Sequence, residues 1–164
     1  MVCINTKAVN VSAASAEVSI RASSGQVSKG DIVYVIITIN SSDAMSGFEG
    51  SFSYDSRVLQ YMTGGSVASG NDNRFQIEDT GRETGVNSLK YSIKFVARKE
   101  GSTSIELKQP YAVYNSEDSS KMSVSSDTLN IMVKSKSAKK ADAPQKNDNK
   151  EPDGKEPAGT EKPY

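Results

Sequence analysis

The sequence predicts an all-β protein: a jelly-roll β-sandwich of about eight to nine strands, followed by a disordered tail. Several segments alternate apolar and polar residues with a period of two, as strands do when one of their faces is buried. Clusters of glycine, serine, asparagine and aspartate separate these segments and supply the turns. No segment carries a helical period, so the core is expected to be built from strands alone.

The first sixteen residues differ from the rest, because they are small, lightly charged and without a clear period. Residues 14–16 have the small-x-small form that precedes signal-peptide cleavage, but polar residues interrupt the apolar region that such a peptide needs. Residues 1–16 are therefore interpreted as a signal-peptide remnant or a flexible N-terminus. The domain is expected to span residues 17–134, beginning with a short strand in which Val18 and Ile20 point inward.

The stretch from 30 to 62 is predicted to form two long strands and a turn. In the first strand one row is β-branched throughout and is expected to face the core: Val33, Val35, Ile37 and Ile39. The opposite row, which contains Tyr34 and Thr38, is expected to be partly exposed. In the second strand Phe48, Phe52 and Tyr54 share one side, and Glu49, Ser51 and Ser53 share the other. The turn begins at Asp55, whose side chain can accept a hydrogen bond from the backbone N–H two residues later.

The second half continues the alternation in shorter segments. Residues 63–73 and 80–87 are rich in glycine and small polar residues and are predicted to be loops. Residues 74–79 form a strand candidate, and the clearest pattern follows, with Leu89, Tyr91, Ile93 and Phe95 pointing inward. Three further strands are predicted at 104–107, 111–114 and 129–133.

Residues 135–164 are predicted to be a disordered linker. They contain 13 charged residues and four of the five prolines, and Tyr164 is their only large apolar side chain. Such a composition buries too little apolar surface to offset the entropy of ordering.

Composition excludes several classes of function. Lys plus Arg equals Asp plus Glu at 20 each, so no basic surface of the kind that binds nucleic acid is predicted. The chain has no histidine and a single cysteine, which removes the usual general base and thiolate metal clusters. Glu49 lies on the predicted solvent row of a strand and Asp55 at a predicted turn, whereas catalysis by paired carboxylates needs a second carboxylate held across a cleft. No catalytic residue, dedicated metal site or cofactor is therefore predicted, and the protein is interpreted as a non-enzyme. No transmembrane segment is predicted.

Two motifs resemble the opening of cohesin domains, the β-sandwich receptors by which bacterial scaffolding proteins dock secreted enzymes. The first is Ser-Lys-Gly-Asp at 28–31 leading into an alternating strand. The second is Phe-x-Gly-Ser-Phe-Ser-Tyr-Asp-x-x-Val-Leu, which ends at Leu59. The resemblance covers residues 17 to 134 and is stronger in the first half.

The resemblance implies a binding face and a partner. In cohesins, polar side chains on the strand before Tyr-Asp make the central hydrogen bonds to a dockerin module. By position these fall on Gly47, Glu49, Ser51 and Ser53, with Gly47 in place of a polar residue. The segment between Asp79 and Leu89 is also shorter than in cohesins. Oxygen-bearing side chains at 71–73 and 78–79 could supply ligands to calcium, but they lack the spacing of a dedicated site, and the resemblance assigns calcium to the dockerin partner.

The function predicted from these features is that of a secreted or cell-surface bacterial module that binds a dockerin-like module or a surface protein, in a polysaccharide-degrading or cell-surface assembly. One alternative is a carbohydrate-binding module of similar fold, with Tyr34, Tyr61, Tyr111 and Tyr114 as sugar-stacking residues and a polysaccharide as ligand. Another is a structural spacer domain of a surface protein.

Overall fold

A computed structural model describes residues 12–136, which form ten strands and no helix. The strands are β1 (Ser15–Ala22), β2 (Gln26–Ser28), β3 (Ile32–Ser53), β4 (Leu59–Thr63), β5 (Ala68–Asn71), β6 (Arg74–Asp79), β7 (Val86–Ala97), β8 (Gly101–Asn115), β9 (Ser123–Ser126) and β10 (Thr128–Lys134). The all-β prediction is confirmed, with ten strands in place of the predicted eight or nine. Residues 1–11 and 137–164, which hold most of the predicted N-terminal segment and linker, lie outside the described residues.

Strand β3 belongs to both layers of a curled sheet. Its first part, 32–40, lies between β1 and β7, in a layer ordered β9-β1-β3-β7-β4. Its last part, 47–53, lies between β6 and β8, in a layer ordered β2-β10-β8-β3-β6-β5. We call these the first and second layers. All pairings are antiparallel except β1 with β9 and β10 with β2.

The crossing of β3 corrects the prediction of two separate strands at 30–62. The chain continues as strand through 41–46, where the register shifts between Asn40 and Met45. Met45 pairs with Val86 of β7 and with Asn115 of β8, so it sits where the strand leaves one layer and enters the other. A bulge of this kind bends a strand without ending it, which explains why the weak alternation at 41–46 does not indicate a turn.

The core lies between the two layers and follows the predicted rows. All four members of the first inward row of β3 are fully buried, as are Phe48 and Phe52. Rings from opposite layers meet directly: Phe75 of β6 packs edge-on against Phe95 of β7 at a centroid distance of 5.6 Å. Such contacts between rings add to the free energy gained by burying apolar area. The aromatic residues therefore join the two layers.

Three predictions on the shorter elements were wrong. The segment 63–73, predicted as a loop, contains β5, which pairs with β6. The strand predicted at 111–114 is the end of the single long strand β8, and β7 begins at Val86, inside the loop predicted at 80–87. Strand pairing uses backbone groups that every residue except proline carries, so polar or glycine-rich residues can occupy a short edge strand. Strand β1 begins at Ser15, two residues before the predicted domain start.

Candidate functional site: the polar face of the second layer

The outward side of the second layer carries polar side chains from three adjacent strands, which we call the polar face. Its members are Glu49, Ser51 and Ser53 on β3, Arg74, Gln76 and Glu78 on β6, and Glu106 and Lys108 on β8. The strand register sets them in rows, since Ser51 lies between Gln76 and Lys108. The three β3 side chains are half-buried, whereas the β6 side chains are exposed. The predicted polar row of β3 thus forms the centre of a broader polar surface.

A hydrogen bond positions the carboxylate of Glu49. The Tyr114 hydroxyl on β8 donates to Glu49 Oε1 at 2.6 Å. This bond raises the pKa of the Tyr114 hydroxyl above its usual value, because the neighbouring carboxylate favours the protonated phenol. Two residues predicted for different functions, Glu49 for protein binding and Tyr114 for sugar stacking, therefore form one hydrogen-bonded pair.

A second carboxylate lies directly across the strands from Glu49. Glu49 of β3 and Glu78 of β6 are register partners, and within residues 12–136 neither belongs to an ion pair. Two like charges that face each other across strands destabilise the sheet slightly. The other acid on this face, Glu106, is paired with Lys108. The negative charge of the polar face is therefore concentrated at Glu49 and Glu78.

Gly47 lies in the same row but is buried beneath the end of β6. A Cβ atom added to Gly47 would lie 2.4 Å from the Asp79 carbonyl oxygen and 2.5 Å from Thr80 Cα. The backbone therefore approaches too closely here for any side chain. Gly47 allows the segment after β6 to cross over β3, and the exposed part of the row begins at Glu49.

A polar network secures this crossing segment. The Tyr91 hydroxyl donates to Asp79 Oδ2 at 2.8 Å, and Arg82 forms an ion pair with the same carboxylate. Burial of Tyr91, and then its bond to Asp79, raise the pKa of its hydroxyl above the usual value. The short connection between β6 and β7 is therefore fixed at one edge of the polar face.

The turn predicted at Asp55 closes the other end of the row. The Arg57 backbone N–H donates to Asp55 Oδ1 at 2.9 Å, which is the predicted bond two residues on. The Arg57 guanidinium also binds both carboxylate oxygens, and these hydrogen bonds lower the pKa of Asp55. Both carboxylate oxygens of Asp55 are thus occupied by hydrogen bonds within the turn, in agreement with a structural role.

The four tyrosines proposed as a sugar-stacking set are not brought together. Tyr34 lies on the outer side of the first layer, whereas Tyr111 and Tyr114 belong to β8 in the second layer. Tyr61 packs against the core, and its hydroxyl donates to the Ala68 carbonyl oxygen. A flat row of exposed rings, the usual platform for a polysaccharide, is therefore not formed by these four residues.

Among residues 12–136, no group of three or more Cys, Asp or Glu side chains could hold a metal ion. No helix in that same span is long and apolar enough to cross a membrane.

Sequence reasoning found the β3 row but missed its neighbours on β6 and β8. The positions of Gln76, Glu78 and Lys108 depend on which strands flank β3, and the pairing partners of a strand are not encoded in its own alternation. The alternation in 74–79 does place Gln76 and Glu78 on the outward side of their strand. The missing information was the strand order.

No protein-family model matches the chain, and no curated protein matches it. Solved structures do resemble it. A non-cellulosomal cohesin from the hyperthermophilic archaeon Archaeoglobus fulgidus has a TM-score of 0.60 and 16% identity, covering 74% of this chain and 92% of that one.

Two bacterial structures give similar values. The sixth cohesin of scaffoldin B from Acetivibrio cellulolyticus, solved in complex with a dockerin, has a TM-score of 0.61 and 14% identity, covering 73% of this chain and 99% of that one. A type I cohesin–dockerin complex from Clostridium thermocellum has a TM-score of 0.58 and 10% identity, covering 76% and 95%. The chain therefore has a cohesin-like fold, as the motifs around Tyr54 and Asp55 predicted.

Proposed function

We propose that the protein is a non-catalytic binding module that holds a dockerin-like partner on its polar face. The observation that carries this proposal is the position of Glu49, Ser51 and Ser53 on the strand that precedes Tyr54 and Asp55, in a domain with a cohesin-like fold. A similar fold alone does not fix a function, so the side chains of this face carry the argument.

The shape and charge of the polar face support protein binding. The face is a broad strand surface whose backbone is held by strand pairing on both sides of β3, and the Tyr114–Glu49 bond anchors the Glu49 carboxylate. Anchored polar groups lose little conformational entropy when a partner binds. The face can therefore make several hydrogen bonds to a partner at low entropic cost.

The charges of the face indicate which partner group fits its centre. Glu49 and Glu78 are adjacent and have no cationic partner within residues 12–136. A lysine or arginine on the dockerin-like module, placed between the two carboxylates, would relieve their repulsion and form a charge-assisted hydrogen bond. A partner with a basic side chain at this point is therefore favoured over a neutral one.

The cellular setting in this proposal is extracellular, on or near a cell surface. The partner would be an enzyme or surface protein that carries the dockerin-like module, and the chain would attach it to a larger assembly. One solved relative in fold is described as non-cellulosomal, so a polysaccharide-degrading assembly is not the only setting that fits.

The test uses a panel of calcium-loaded dockerin modules and isothermal titration calorimetry on the full chain. Changing Glu49, Ser51 and Ser53 together to alanine is expected to weaken a bound dockerin about 10- to 150-fold. The estimate assumes that one hydrogen bond to charged Glu49 dominates the loss, and Glu49→Gln alone should reproduce most of it. Glu78→Gln is expected to weaken the same partner to a smaller extent.

A matched control changes the same residue types on the other layer. Glu17, Ser19 and Ser92 lie on the outer side of the first layer, and their joint change to alanine should leave dockerin binding as it was. Both triple variants should melt within a few degrees of the parent, because the altered side chains are outside the core. Equal affinity of the two triple variants would refute the proposed face, and the absence of binding across the panel would refute the proposed partner.

A further inference from the structure

The outer side of the first layer concentrates exposed apolar side chains. Four large hydrophobic residues are exposed among the described ones, and three of them lie on this side: Ile32 (43%), Tyr34 (43%) and Met62 (49%). The fourth, Met132, lies on the second layer. Single exposed apolar residues need no explanation, but a group on one sheet face commonly marks an interaction surface.

Strand register places these residues side by side. On one side of β7, Val96 pairs with Ile32 and Lys94 with Tyr34, both of β3. On the other side, Val96 pairs with Gln60 and Lys94 with Thr63, both of β4. Met62 lies between those two β4 positions, at the register shift. With the half-buried Ile36, these side chains form one surface that we call the apolar patch: Ile32, Tyr34, Ile36, Met62 and Val96.

The charges around the apolar patch are positive. Lys94 lies within it, between Tyr34 and β4, and Lys90 lies two steps along the same outward row of β7, beyond Ser92. Within residues 12–136 neither lysine belongs to an ion pair. Arg21 of β1 is neutralised by Asp127 at 2.8 Å. Among the outward strand positions of this layer within residues 12–136, the only acid is Glu17, which lies at the far end of the layer, opposite Asn40. Asp31, next to Ile32, precedes the strand, and its carboxylate accepts a hydrogen bond from the Ser28 backbone N–H at 2.9 Å.

We propose that the apolar patch is a second docking surface, for a protein segment that places apolar side chains on Tyr34 and Met62 and carboxylates beside Lys90 and Lys94. The charge complementarity of the two lysines carries the choice of an acidic partner. Because the patch and the polar face lie on opposite outer sides of the two layers, both can be occupied at once. The module then joins two proteins, which goes beyond the function proposed above.

Charge also argues against a second copy of this chain as the occupant. If the patch packed on itself, Lys94 of one copy would approach Lys94 of the other, and the patch contains no carboxylate to neutralise them. Like charges brought together at an interface oppose association. An acidic partner removes this cost.

The test selects peptides from a random display library on the immobilised full chain. The expected binders combine aromatic or aliphatic residues with flanking Asp or Glu. A synthetic peptide from the selection should bind at least about tenfold more weakly to Lys94→Glu and to Tyr34→Ser than to the parent. Lys121→Glu, an equal charge change at an exposed site away from the patch, should bind the peptide as the parent does.

A second measurement keeps the protein unchanged, so it is independent of any effect of the variants on folding. Replacing Asp and Glu of the peptide with Asn and Gln should also reduce affinity about tenfold or more. The proposal would be overturned if the selected peptides had no excess of acidic residues, if a peptide bound Lys94→Glu as tightly as the parent, or if the selection gave no binder. Two results would instead identify this chain itself as the occupant. One is that a peptide of residues 137–164 displaces the selected peptide, and the other is that sedimentation shows a dimer which Tyr34→Ser abolishes. Dockerin binding at the polar face does not enter this test, so the two proposals can fail separately.

Discussion

The two rows of β3 allow a direct test of how the first layer is built. Ile37 is fully buried between its register partners Ile20 and Tyr91, which are themselves buried. Ile36 is adjacent in sequence but lies on the outer side of the layer and is only half-buried. The substitutions Ile37→Ala and Ile36→Ala therefore remove the same atoms from opposite sides of one strand.

The expected loss of unfolding free energy follows from how deeply each side chain is buried. Truncating isoleucine to alanine removes three carbon groups, each worth about 0.8 kcal/mol when fully buried, so Ile37→Ala loses about 2.4 kcal/mol of transfer free energy. The paired strands on both sides limit collapse into the space, and the remaining cavity adds to the cost, within an overall range of about 2 to 5 kcal/mol. Ile36→Ala should cost less than about 1 kcal/mol, because solvent already reaches that side chain.

Urea unfolding monitored by circular dichroism measures both free energies. The midpoint should fall for Ile37→Ala while the slope stays unchanged, since the surface exposed on unfolding is nearly the same. The melting temperature should fall by about 8 to 20 °C for Ile37→Ala and by no more than about 4 °C for Ile36→Ala. Equal losses for the two variants would show that both sides of β3 are buried and would refute the two-layer arrangement, including the exposure of the apolar patch.

Two further predictions concern the connection between β6 and β7. Gly47→Ala should destabilise the fold by about 1 to 3 kcal/mol, because its Cβ would collide with backbone atoms, whereas Gly25→Ala, with nothing within 4 Å, should stay within about 0.5 kcal/mol of the parent in the same urea titration. Tyr91→Phe should cost about 1.5 to 3 kcal/mol at neutral pH through loss of the bond to Asp79. Since the folded state raises the pKa of Tyr91, its stabilising contribution is complete below about pH 10 and declines as the pH rises further. The parent should therefore lose more stability than Tyr91→Phe between about pH 8 and about pH 11, and equal losses would contradict the network.

The local pattern of the sequence determined which side of each long strand is buried. The inward rows of β3 and β7 follow the period of two, and both were predicted correctly from residues such as Ile37 and Phe95. This works because a strand places successive side chains on opposite faces regardless of which strands flank it. The turn at Asp55 was also predictable, because the hydrogen bonds of the Asp55 side chain are made to Arg57, two residues later in the sequence.

The tertiary structure alone decided which strands are neighbours, and with them the composition of both surfaces. Glu78 lies opposite Glu49, and Lys94 lies opposite Tyr34, because of long-range pairings between strands that are far apart in sequence. The burial of Gly47 beneath the end of β6 is another such result. Backbone pairing is nearly independent of side-chain identity, so alternation can show that a residue points outward but cannot show what lies beside it. The sequence by itself determined the inside and outside of the sandwich. The folded chain determined the make-up of the two outer surfaces proposed for binding, because those surfaces are assembled across strands.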